Sequence, residues 1–222
     1  MRYLNYDSLD IVRFAGLGER ILVMDPGVFG HQAREDSWSG FAGLTYLAHA
    51  FFRPGGSTGM HRHQAVNIVS VITRGRILHQ GTLGDGDIIS AGEVLVQRSG
   101  NGGFQHNEIN PDDDVYGMVQ LWLTPDSHEN HTASHDKITL QPGLTTVYRS
   151  DNTCIDIVRL SPDQSWHFPR DSYLYLYQGS ATAEHQSQQT AIERGTLIHG
   201  QDIILIGRQV ETAIIAVYRP DD

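Results

Sequence analysis

The most constraining feature of this chain is its rhythm: short β-prone runs closed by glycine turns, at a spacing of about ten residues. Leu44 to Phe52 (LTYLAHAFF), Val66 to Thr73 (VNIVSVIT), Arg76 to Gln80, Val94 to Arg98 and Tyr116 to Leu123 (YGMVQLWL) supply the runs. Several are rich in β-branched and aromatic side chains, which suit a pleated, half-buried surface. Between them stand Pro54-Gly55-Gly56, Arg74-Gly75, Gly84-Asp85-Gly86, Ala91-Gly92, and Gly100 with Gly102 and Gly103. No stretch carries the apolar repeat of a long amphipathic helix. The pattern predicts an all-β fold of barrel or sandwich type.

Composition narrows this further. With 222 residues, 39% of them hydrophobic, the chain can bury one large all-β core or two small ones. Its 23 glycines against 8 prolines fit tight turns rather than disorder. A formal net charge of -10, with no Lys/Arg cluster, disfavours direct nucleic-acid binding. Cys154 is the single cysteine, so no intrachain disulfide can form, and its apolar, alternating surroundings read as those of a core thiol. The N-terminus has no signal-like apolar segment and no window approaches a membrane span, which together predict a cytoplasmic protein without a membrane partner.

The second half repeats the first. Arg74-Gly75 matches Gln178-Gly179 at an offset of 104 residues, and Ala91-Gly92-Glu93 matches Arg194-Gly195-Thr196 at 103. Duplication predicts two domains, at residues 1–125 and 141–222. The polar stretch Asp126 to Asp136 (DSHENHTASHD) places a linker at 126–140, with His128, His131 and His135 solvated.

Gly59-Met60-His61-Arg62-His63 carries the chemistry. Side chains two apart on a strand share a face, so His61 and His63 can aim at one point. Gln105-His106-Asn107-Glu108 repeats the device, with Asn107 on the opposite face. Three imidazoles and a carboxylate meeting in an apolar interior are costly to bury unless a divalent cation offsets the cost. A donor set of three nitrogens and one oxygen, without thiolate, suits Fe(II), Mn, Ni, Cu or Zn. Glycines at 102 and 103 would permit close backbone approach or simply turn the chain. His79 reads as a hydrogen-bonded or surface side chain rather than a pocket donor.

The order Gly-x-His-x-His, Gly75, Ala91-Gly92, His106-x-Glu108 resembles the cupin superfamily and, within it, the pirin-like bicupins, including bacterial quercetin 2,3-dioxygenase-like members. Residues 59–110 carry the resemblance. It implies two cupin (double-stranded β-helix, or jelly-roll) barrels in tandem. It also implies one iron-like metal, Fe(II) first among the ions above, held in the N-terminal barrel by His61, His63, His106 and Glu108. The chain departs from the general cupin pattern in having Val66-Asn67-Ile68 where a carboxylate ligand stands, and from the subfamily in Asn67 and in Ala91 for the usual proline. The resemblance implies dioxygenase chemistry on a flavonol (quercetin-like) or related aromatic enol, with Glu108 as both ligand and catalytic base. It equally implies a rival: a non-enzymatic, iron-dependent redox sensor that binds a protein partner. In the second barrel the aligned positions are Ser165, His167, Gln209 and Glu211, a set expected to bind metal poorly.

Overall fold

A computed structural model of the chain describes residues 1–127, 132–208 and 210–221. Twenty-one strands, in four sheets, dominate the described residues, and two compact units emerge: Leu9–Thr139, and Met1–Ser8 together with Leu140–Asp222. No described helix is long and apolar enough to cross a membrane.

In the first unit a seven-stranded sheet runs in the order β12 (Ser134–Thr139), β9 (Glu93–Arg98), β6 (Asn67–Arg74), β11 (Tyr116–Leu123), β4 (Leu44–Phe52), β3 (Leu17–Met24) and β2 (Val12–Phe14). A four-stranded sheet runs β5 (His61–His63), β10 (Phe104–Ile109), β7 (Arg76–Gly81) and β8 (Asp87–Ser90). Strand alternation builds the interior in layers. Leu17, Ile72, Ile77, Leu95 and Met118 share one apolar cluster with Phe52 and Ile89. One inward step along the same strands, two residues on, come Glu19, Ser70, His79, Gln97 and Gln120; all but Gln120 are buried. The barrel is therefore oily in one layer and polar in the next.

The second unit repeats the plan. Its larger sheet runs β1 (Arg2–Asn5), β19 (Thr196–Gly200), β16 (Ser172–Gln178), β21 (Thr212–Tyr218), β14 (Cys154–Leu160) and β13 (Gly143–Arg149). The smaller runs β15 (Ser165–Phe168), β20 (Ile203–Gly207), β17 (Ser180–His185) and β18 (Gln188–Glu193). The repeated turns match: Gly75 and Gly179 hold φ of 76° and 78°. Here the interior is apolar, with Leu160, Phe168, Leu174, Leu205 and Ile214 in one cluster.

The units differ from the boundaries expected from composition. Residues 134–139 are not linker: they form β12, paired with β9 from Ser134↔Arg98 to Thr139↔Glu93. This is an edge strand whose side chains are largely solvated, so it carries no apolar alternation to announce it. Met1–Ser8 leaves the first unit altogether, because β1 pairs with β19. His135 lies on β12 beside Asp87 at 3.4 Å instead of in a loop. His128 and His131 lie outside the described residues.

Candidate metal centre

Three of the four expected ligands meet. His61 and His63 leave the short strand β5 on one face, and β5 pairs with β10 so that His106 lies opposite His61. One nitrogen from each of the three rings lies within 4.8 Å of the others, and among the described residues this is the single such cluster of metal-ligating groups. Gly103 sets the approach of the two strands. Its φ is +70°, and a Cβ there would fall 2.3 Å from the His63 carbonyl oxygen. An added Cβ at Gly102 would meet open space, so of the two glycines only Gly103 is a close-approach position.

The hydrogen bonds around these rings fix which nitrogens are bare. His61 Nδ1 lies 2.8 Å from the Gly59 carbonyl oxygen, which can only accept, so Nδ1 carries the proton and Nε2 a lone pair. His106 Nδ1 lies 2.9 Å from Gln97 Oε1, so His106 Nε2 is bare as well. Those two Nε2 atoms face each other at 3.1 Å, lone pair against lone pair. His63 Nε2 is buried with no protein partner. Burial pushes the His63 and His106 imidazoles down to about 4 and about 2, helped by neighbouring histidines, so both are neutral near pH 7. Such a set repels itself unless a cation lies among the three nitrogens, and neutral imidazole is the form that ligates. The residues fit a divalent transition metal.

A family profile described as Pirin matches residues 24–123, the span that builds this centre. Over that span, a little under half of the chain, the sequence is similar to the Pirin family. Over 95 residues it is 25% identical to a quercetin 2,3-dioxygenase of Escherichia coli K12, covering 42% of this chain and 41% of that one. Over 89 residues it is 34% identical to a putative quercetin 2,3-dioxygenase of Pasteurella multocida, covering 39% and 37%. The chain thus spans about two fifths of the length of these curated relatives. Among solved structures it resembles YhhW from E. coli, with a TM-score of 0.79 at 17% identity over 100% of this chain and 98% of that one. A bacterial pirin YhhW in complex with nickel(II) superposes equally well, at 16% identity over 100% and 99%. These structures bear out the bicupin fold.

Glu108 stands apart from the nitrogen cluster. It is buried on β10, two residues past His106. Gln120 Nε2 donates to both of its oxygens, at 3.1 and 3.2 Å, and the Ser70 hydroxyl donates at 3.2 Å. Burial nevertheless pushes its carboxyl up to about 7. Gln120 is oriented in turn by the Trp122 indole N–H, which donates to its Oε1 at 2.8 Å. Trp122 packs against Tyr46 with ring centroids 4.7 Å apart, and against His63 at 5.2 Å. Together with His61, His63, Thr45 and Phe29, Trp122 lines a cavity of about 580 Å³. Phe29 comes from the short helix α1 (Pro26–Phe29), capped by the Asp25 carboxylate on the Gly27 N–H.

Sequence reasoning missed Gln97, Gln120 and Ser70. Their signal was available: each lies two residues from a core position on the same strand, so each faces inward. His79 is hydrogen-bonded, as expected, but fully buried rather than at the surface. Asn67 is also buried; its side-chain oxygen accepts the Ser99 N–H at 2.9 Å. In the second barrel the aligned positions among the described residues form no metal-ligating cluster. Ser165 and His167 are exposed while Trp166 and Phe168 pack inward, and Glu211 bonds Arg159 at 2.9 Å. Gln209 lies outside the described residues.

Proposed function

We propose that this protein is a metal-dependent dioxygenase of flavonol-like or related aromatic enols, with Fe(II) as the working ion. The observation that carries the reading is the meeting of the His61, His63 and His106 nitrogens at the wall of a cavity that Phe29 and Trp122 also line, with the buried Glu108 carboxyl two residues along the strand from His106. When bound, the ion supplies a Lewis-acid contact for a substrate oxygen and a redox partner for dioxygen. Phe29 and Trp122 offer flat apolar faces to a planar ring. Glu108, with its carboxyl near 7, is matched to take an enol hydroxyl proton at neutral pH, which makes the ring electron-rich. Gln120 and Ser70 hold that carboxylate in place as the proton arrives. In this reading Glu108 is also the fourth ligand.

Oxygen uptake by the Fe(II)-loaded protein with quercetin added tests the reading. Catalytic uptake is expected. Glu108→Gln should lower it by about 100-fold or more, the usual worth of a general base. His61→Ala should abolish it together with bound metal, read by elemental analysis. A wild-type protein that holds iron yet consumes no oxygen with any flavonol defeats the enzyme reading. It would favour a redox sensor if a partner protein were then captured in only one oxidation state.

A further inference from the structure

Behind His106 lies a chain of buried polar groups that touches neither the cavity nor the other two rings' nitrogens. It begins at the Gly84 carbonyl oxygen, which lies 3.2 Å from His79 Nδ1. It continues from His79 Nε2 to Gln97 Nε2 at 3.1 Å, and from Gln97 Oε1 to His106 Nδ1 at 2.9 Å. His79, Gln97 and His106 are all fully buried, at 0% exposure, so the two links between them are closed to solvent, while the Gly84 end is part-buried.

The chain has one polarity. A carbonyl oxygen only accepts, so His79 must place its proton on Nδ1. Its Nε2 is then a lone pair and requires a donor. Gln97 offers a donor from its amide nitrogen alone, which turns its oxygen toward His106. His106 must therefore carry its proton on Nδ1 and leave Nε2 bare. Reversing any member leaves two lone pairs or two protons in contact at a site closed to solvent, where each unsatisfied group is costly. The tautomer of a residue on β10 is thus set by a backbone carbonyl beyond β7.

We infer that Gln97 and His79 are positioning residues for the metal centre, fixing His106 in the one tautomer that can ligate. The inference rests on the reading of His61, His63 and His106 as metal ligands. Metal-bound histidines commonly donate their other N–H to a fixed acceptor, and removing it typically costs 10–100-fold in affinity. Here the acceptor is itself fixed by a second buried histidine, so the effect extends one residue further than usual.

Two measurements test this. The first needs no substitution: long-range nitrogen-15 NMR of the metal-free protein at neutral pH should find Nδ1–H on His79 and His106. An Nε2–H form of His106 overturns the relay. The second is Co(II) titration against a chelator, with the visible ligand-field spectrum recorded. Gln97→Met, close in volume, should weaken Co(II) binding 10–100-fold and alter the spectrum. Gln97→Glu keeps an acceptor facing His106, and its other oxygen can donate to His79 Nε2 when protonated, so it should restore part of the affinity. His79→Met frees the Gln97 amide to turn and should weaken binding about tenfold. If wild type binds Co(II) and both Gln97→Met and His79→Met match it in affinity and spectrum, the relay is wrong while the metal centre stands. If wild type takes up no Co(II), the metal centre itself is wrong and the relay falls with it. Should Gln97→Met fail to fold, His79→Met and the NMR tautomers each decide the matter alone.

Discussion

A carboxylic acid buried away from water releases its proton late, and burial pushes the Glu108 carboxyl up to about 7 against the hydrogen bonds from Ser70 and Gln120. The same shift has a stability consequence in the metal-free protein. Between its ordinary value of 4.5 and about 7, the folded state holds a proton on Glu108 that the unfolded chain has already lost. The folded state binds more protons there, so unfolding free energy falls as pH rises across that window. The full loss amounts to about 3 kcal/mol. Glu108→Gln removes this term. Urea melts of metal-free wild type and variant at pH 4.5 and 7 should show wild type losing ground to Glu108→Gln as pH rises. A constant difference at both values would refute the buried-acid account. At this scale the sequence was legible for His61, His63 and His106, because two-residue spacing on strands is a direct statement about direction. It was silent on Glu108's separation from the nitrogen cluster, which depends on Gln120 and Ser70 arriving from two other strands.

Strands place these side chains, and at the β5–β10 contact a glycine permits the close approach. β5 has only three residues, and it stays against β10 because Gly103 lets the backbone pass beside the His63 carbonyl. Gly103→Ala combines a left-handed backbone with a Cβ 2.3 Å from that oxygen. It should destabilise the metal-free protein by about 2 kcal/mol and weaken metal binding as His63 is displaced. Gly102→Ala meets open space without a positive φ and should stay within about 0.5 kcal/mol of wild type. Thermal melts and metal titration of the pair provide the comparison; equal behaviour would show that strand spacing is set elsewhere. The β-prone runs foretold most core strands, since alternation and glycine turns are written locally. Edge strands were not foretold: β12 reads Ser-His-Asp-Lys-Ile-Thr, and what makes it a strand is the free edge of β9, a fact that lies forty residues away in the chain.

At the level of the whole chain, two barrels share a strand plan but differ in their interiors. The first keeps a polar layer of Glu19, Ser70, His79, Gln97 and Gln120; the second fills its interior with residues such as Leu160, Leu174, Leu176 and Ile214. The glycine offsets made the repeat readable, but not the exchange of leading strands. The segment that precedes the second barrel gives β12 to the first, and the segment that precedes the first gives β1 to the second. Four register pairs, from Arg2↔His199 to Asn5↔Thr196, and the buried Tyr6 beside Gly195 tie residues 1–8 to β19. Deleting Met1–Ser8 therefore uncovers an edge of the C-terminal sheet while leaving every strand of Leu9–Thr139 intact. Hydrogen exchange should accelerate across Thr196–Gly200, whereas His61–His63 and Phe104–Ile109 keep their protection and the truncated protein keeps its metal. Unchanged protection in β19 would mean that β1 contributes nothing to the sheet it joins. Loss of metal on truncation would mean that the centre depends on more than the unit that supplies its ligands.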